Sequence, residues 1–275
     1  MRLPEATWRL LKDAPARGAW NMAVDEAILE SVGRGDAPAA LRLYAWEPAC
    51  LSLGVAQPFS DVNAEALASN GWEVVRRQTG GKAILHTDEL TYAVIAPQDE
   101  PRVGGDILES YQRLSTALVA ALELLSVPIA VHESRSLQAH KNSNPICFEI
   151  PSSYEIVMDG KKLIGSAQAR RHGGVLQHGT LPLYGEITRI TEALAFNSSE
   201  ERASAAQRLN ASATTVENAL QREISWEQAA GAFADAFAKT LNLNLALGEL
   251  SAAEEERAEA LMREKYARQD WTQRV

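Results

Sequence analysis

Cysteine is scarce in this chain: only Cys50 and Cys147 occur in 275 residues. Two cysteines build no disulfide framework, and neither belongs to a CxxC or Cys/His cluster with zinc-binding spacing. Positive charge is in deficit, with 27 Lys and Arg against 36 Asp and Glu and a formal net charge of −9. A broad nucleic-acid binder needs a basic footprint, so that class is excluded, although a local basic patch is not. No run of about 18 apolar residues exists, which excludes a membrane-spanning helix. The first residues, MRLPEATWRLLKDAPARG, lack a long apolar stretch and a small-residue cleavage site. Cytoplasmic residence is therefore expected.

The 46% apolar and 23% charged composition is that of a soluble globular protein. The length suits one large domain or two small ones. Strands are predicted over 7–13, 39–46, 50–54, 72–77 and 89–97, with a further short one in GKAILH. Helices are predicted over 16–35, 63–70 and 104–127. In the first, Trp20, Ala23, Ala27 and Ile28 share one face. In the third, Ile107, Tyr111, Leu114, Leu118, Ala121, Leu122 and Leu125 recur with helical period. HESRSLQAHKNSNP (132–145) is polar and irregular and reads as a mobile loop. Antiparallel strands follow up to residue 185. Beyond Glu186 the composition turns helical. Hairpin-like grouping, without strict βαβ alternation, predicts an α+β fold of mixed, largely antiparallel sheets packed with helices and a helical C-terminal part.

YEIVM-DG-KKLIGS places Asp-Gly between two runs of strand formers, the strongest short-range hairpin signal. A two-residue turn sets Val157 opposite Lys162 and Met158 opposite Lys161. Alternation then sends the two lysines to opposite faces, one of them free to face a cleft. Gly165, Ser166 and Ala167 keep the returning strand slim, as they would where a ligand or another backbone passes close. RRQTGGKAILH (76–86) pairs arginines with glycines, but its spacing is not that of a phosphate-binding loop and no helix follows. His86 reads as a satisfied core histidine or as a site residue. Cys50, beside Leu51 and Leu53, reads as core.

Together these segments carry a resemblance. RRQTGGKAILHTDELTYAV and CFEIPSSYEIVMDGKKLIGSAQARRHGGVLQHGTLPL resemble the biotin/lipoate protein ligase catalytic superfamily. LRLYAWEPACLSLGVAQ (41–57), with its Tyr-x-Trp…Leu-Gly…Gln pattern, and the terminal EKYARQDWTQR extend the match over nearly the whole chain. The cysteine before Phe-Glu-x-Pro-Ser, with Gly-Ser-Ala-Gln and Leu-Gln-His-Gly, resembles its octanoyltransferases. Two departures set the chain apart from the ATP-using ligases: Lys82 stands where a third glycine is common, and those enzymes need no cysteine at the position of Cys147.

The resemblance implies one catalytic domain over 1–275, with an α+β core over 1–185 and a mainly helical part over 186–275. It implies transfer of an octanoyl group from octanoyl-acyl carrier protein to a lipoyl-domain lysine, such as that of the glycine cleavage H protein. Cys147 is the implied nucleophile and Lys162 the active-site lysine. Gly80 and Gly81 are expected to form a slim wall of the acyl tunnel. Arg76, Arg77, His86, Gly165, Gln168 and His178 are expected at the substrate, the two arginines alternatively against acidic protein partners. No metal, ATP or other cofactor is implied, and a monomer is expected. Three other readings stay open: an ATP-dependent lipoate ligase, an amidotransferase between lipoyl domains, and a non-catalytic binder of acylated carriers.

Overall fold

The computed structural model describes residues 3–133, 146 and 154–275. Its backbone is a mixed sheet of eight strands. In chain order these are β1 (Ala6–Lys12), β2 (Ala40–Tyr44), β6 (Glu89–Pro97), β7 (Ala130–Glu133), β8 (Tyr154–Met158), β9 (Lys161–Arg171), β10 (Gly174–Pro182) and β11 (Leu243–Leu247). Across the sheet they run β11-β1-β2-β6-β10-β9-β8-β7. The β11-β1-β2 ladder is parallel, and from β2 to β7 every pairing is antiparallel. A smaller sheet has the order β4-β3-β5, formed by β3 (Cys50–Leu53), β4 (Glu73–Arg76) and β5 (Ile84–His86).

Alternation along β6 divides the core. Leu90, Tyr92, Val94 and Ala96 face α3 (Ile107–Leu124) and α7 (Trp226–Leu241), which pack on each other. Ala93 and Ile95 face α1 (Gly18–Arg34), which is backed by α8 (Ala252–Leu261). An Asp106–Glu109 capping box starts α3 after Gly104-Gly105, satisfying two orphan amide groups. Ile107, counted on the apolar face in the sequence, is 57% exposed because it lies in the first turn beyond the sheet. Helix α1 buries more than one stripe: Asn21, Asp25 and Glu26 are buried with Ala23, Ala27 and Ile28. Sandwiching between sheet and α8 explains this. Helices α2 (Ala64–Asn70), α4 (Ile190–Ala193) and α5 (Ser199–Ser212) cover the β3–β5 end, while the short α6 (Val216–Leu220) packs into the α3/α7 core.

Two features bear directly on the sequence reading. The β8–β9 turn has Asp159 and Gly160 at positive φ, 49° and 76°, as a two-residue hairpin turn demands. Val157 pairs with Lys162 and Met158 with Lys161, the register read from the Asp-Gly signal. The helical reading beyond Glu186 needs one correction, since Leu243–Leu247 forms β11 on the sheet edge beside β1. The terminal segment closes the molecule. A π-helical turn (Met262–Tyr266) and α9 (Gln269–Thr272) lie against α1 and β4. Lys265 Nζ and Tyr266 Oη both donate to Glu26. Of the predicted loop over 132–145, residues 134–145 lie outside the described residues.

Candidate active site

A pocket with about 370 Å³ of empty space, part of it open to solvent, lies between the small sheet and the β9–β10 ladder. Met22 of α1 and Ile84 of β5 close it at its sides. Gly165 and Ala167 of β9 and Gly179 of β10 form a wall without bulk. A side chain at Gly179 would run into Ser166 Oγ, the Gly165 carbonyl and Tyr92. That position tolerates glycine alone.

The rest of the wall is made of polar residues whose polar atoms, Thr180 Oγ1 aside, are bound elsewhere. His178 Nδ1 lies 3.0 Å from Asp25 Oδ2 and its Nε2 2.7 Å from Thr79 Oγ1. Asp25 also accepts from Arg42 (2.8 Å) and from the Tyr44 hydroxyl (3.0 Å). Arg42 bonds Asn21 and Asp13 as well. Burial by itself would raise the Asp25 carboxyl, but hydrogen bonds from His178 and the charge of Arg42 outweigh it and hold the group below its ordinary range. Burial keeps His178 below its ordinary value despite Asp25. The ring is therefore neutral at pH 7, donating from Nδ1 to Asp25 and accepting the Thr79 hydroxyl at Nε2. This tautomer is assigned from the hydrogen-bond network.

A second network lies across the cavity. His86 reaches Glu89 through Nδ1 (2.6 Å) and Ser52 Oγ through Nε2 (2.8 Å). Trp46 stacks on the His86 ring at 3.9 Å and donates from Nε1 to Thr91 Oγ1. Arg77 donates to the Ser52 carbonyl and hydroxyl and to the carbonyls of Gly80 and Lys82. With these bonds made outward, the wall turns mainly carbon toward the cavity. Such a space suits an apolar chain.

Four expected residues, Arg77, His86, Gly165 and His178, line this one cavity. Gln168 points to the opposite face of β9, where it donates to Ser110 and Gln177. Gly80 and Gly81 do not wall the cavity. Both are exposed at a turn, and Gly80 faces open space. The pairing of the two arginines with acidic partners is also corrected, since Arg76 and Arg77 are only 0% and 3% exposed. Arg76 binds the carbonyls of Gly54, Gln57 and Thr272. The sequence presents two adjacent cations and hides that β4 runs inside.

Lys162 is buried, 6% exposed, and its carbonyl accepts from the Thr214 amide. Lys161, on the other face, is less buried. Lys162 precedes the cavity residue Gly165 by three positions, roughly 10 Å of strand. Cys147 lies outside the described residues. Its chain neighbour Ile146 bridges Ala83 and lines a second cavity of about 490 Å³, which shares Ile84 with the first. Cys50 is fully buried in β3, where burial pushes its thiol well up; it is core.

Sequence reasoning did not single out Asp25, Ser52, Thr79 or Thr180. A signal existed for Asp25, an acid inside the apolar run MAVDEAIL and one helical turn from Asn21. Glu26, Glu30 and His172 come within 4.8 Å of one another. Their carboxylates are engaged by Lys265 and Arg257.

Residues 17–238 match the family described as Lipoyl protein ligase A/B catalytic domain. Proteins named Octanoyltransferase LipM are similar over nearly the full length. The one from Kyrpidia tusciae is 39% identical, covering 98% of this chain and 99% of the relative. The one from Symbiobacterium thermophilum is 38% identical with the same coverage. Among solved structures, a bipartite lipoate protein ligase from Thermoplasma acidophilum superposes with a TM-score of 0.81 at 23% identity, covering 98% of this chain and 96% of that one. A lipoate-protein ligase A bound with ATP gives 0.79 at 24% identity, covering 97% and 98%. The chain belongs to the lipoyl protein ligase A/B catalytic domain family.

Proposed function

We propose that this protein is an octanoyltransferase of protein lipoylation. It takes the octanoyl group from octanoyl-acyl carrier protein and delivers it to the lysine of a lipoyl domain, such as the glycine cleavage H protein. The observation that carries this reading is the carbon-faced cavity, most of whose polar wall groups are bound to the protein, in a chain 39% identical to a protein named Octanoyltransferase LipM. An eight-carbon chain gains about 0.8 kcal/mol per methylene buried there.

The thioester donor is already activated, so the reaction needs no ATP, and no cofactor is proposed. Cys147 Sγ attacks the octanoyl carbonyl. The carbon–sulfur bond to the carrier breaks, and the carrier leaves as a thiol with the proton Cys147 gave up. The acceptor amine then attacks the octanoyl-Cys147 thioester, forming the amide and returning the cysteine thiol. One thioester replaces another in the first step; the second runs downhill to an amide. A free cysteine is only a few per cent thiolate at pH 7. Positive charge from Lys162 raises that fraction and polarises the acyl carbonyl. Two bulky protein substrates meet the enzyme in turn, and the covalent intermediate lets one leave before the other binds. We place the enzyme in the cytoplasm, as a monomer. Among the described residues no helix is long and apolar enough to cross a membrane.

Intact-mass spectrometry tests the proposal. Mixing with octanoyl-acyl carrier protein adds one octanoyl group to the protein, and Cys147→Ala abolishes the adduct. An adduct that survives Cys147→Ala, or none in the unmodified protein, sinks the reading. Modification of a lipoyl domain from free octanoate with ATP and magnesium, without any thioester, would identify a ligase instead.

A further inference from the structure

Among the described residues of the cavity wall, one polar side chain has no partner. Tyr44, Trp46, Ser52, Arg77, His86, Thr91, Ser166 and His178 all have hydrogen bonds to the protein. Thr180 does not. It is 1% exposed and lines the cavity, and its Oγ1 lacks a hydrogen-bond partner. The neighbouring Thr91 hydroxyl is already committed to Trp46 and Glu89.

A buried hydroxyl without a partner costs its full desolvation, and native proteins rarely keep one. Valine has the same shape and would remove the cost. A threonine retained here points to a partner that arrives with the ligand. A hydroxyl donates one hydrogen bond and accepts others, so a carbonyl oxygen satisfies it.

The register gives the direction. Thr180 pairs with Gly165 on β9, and His178 with Ala167. Lys162 precedes Gly165 on β9, so Thr180 is on the rung nearer the lysine and His178 is deeper. We propose that the Thr180 hydroxyl donates a hydrogen bond to the carbonyl oxygen of the acyl group. This places the reacting carbon at the Lys162 end of the cavity, with the alkyl chain running toward His178 and Met22. The inference rests on the octanoyl-transfer reading. A carbonyl oxygen gains negative charge as its carbon is attacked, so the bond strengthens toward the tetrahedral intermediate.

Two arms test it. In the first, the Cys147→Ala protein and its Thr180→Val and Thr180→Ser derivatives are titrated with S-octanoyl-N-acetylcysteamine and with the octyl thioether that lacks the carbonyl. Thr180→Val should weaken the thioester about tenfold and leave the thioether unchanged, with Thr180→Ser restoring the difference. Its melting temperature should equal or exceed that of the parent. Equal loss for both probes, loss for neither, or no binding of the thioester to the parent overturns the proposal. In the second arm, the protein with Cys147 intact is loaded from octanoyl-acyl carrier protein. Thr180→Val should load about 10²-fold more slowly, and an unchanged rate overturns the proposal. If the unmodified protein never loads, the transfer reading fails, while the probe titrations still decide whether Thr180 binds a carbonyl.

Discussion

His178 illustrates how a titratable residue can build an apolar wall. Its ring is held neutral by burial, with both nitrogens occupied by Asp25 and Thr79. The folded value lies below the ordinary 6.5. Once the pH falls below 6.5, the unfolded chain binds a proton that the folded chain still refuses. Stability therefore declines as pH drops through that window. Asp25, held below its ordinary 3.8, adds a loss of the same sign at lower pH. Melting temperatures between pH 7.5 and 5 should fall steeply in the parent and less steeply in His178→Gln, whose baseline is lower. Parallel curves would mean that His178 titrates alike in both states. Little of this was legible in the sequence. LQHG draws attention to the histidine, but nothing local says that Asp25, 153 residues earlier, accepts its Nδ1–H.

At the scale of elements, legibility followed locality. The Asp-Gly turn writes its own geometry, so the β8–β9 register and the opposite facing of the two lysines could be read directly. Lys161→Ala should leave octanoyl transfer within about twofold, while Lys162→Ala should slow it by about 10²-fold or more with an unchanged melting temperature. Equal effects from the two would remove the facing argument. Gly160→Ala should cost about 1 kcal/mol in urea titration, because alanine resists a φ of 76°. The last strand was not legible. LNLAL is short and lies mostly exposed between helices. Its parallel pairing with β1 joins opposite ends of the chain, and no nearby residue announces that.

Across the whole molecule, the terminal segment and Arg76 form one device. Arg76 ties β4 to the Gly54 turn and to α9, while Trp271 donates back to the Arg76 carbonyl. EKYARQDWTQR could be matched to a family by its sequence, but its work is to strap α1 and β4 together. Replacing Arg76 by leucine strips several carbonyls of a charged donor. It should cost about 3 kcal/mol or more, seen as a large drop in urea midpoint, with the KM for the proposed donor, octanoyl-acyl carrier protein, unchanged in the protein that remains folded. A native midpoint with a raised, salt-sensitive KM would instead return Arg76 to the alternative role expected of it, against an acidic protein partner. The apolar faces of the sheet and helices were readable from periodicity. The buried cations were not, because charge alone does not reveal whether carbonyls or solvent surround it.

The hydrogen-bonded network behind the cavity wall also bears on how such a site changes over generations. Asp25, Arg42, Tyr44, Thr79 and His178 each complete another member's bonds. A single substitution at any of them strands a neighbour, whereas a matched pair need not. A library that varies these positions one at a time should yield few functional variants, and one that varies them in contacting pairs should recover more. The shape of the pocket is inherited as a unit, and its drift is expected in coordinated steps.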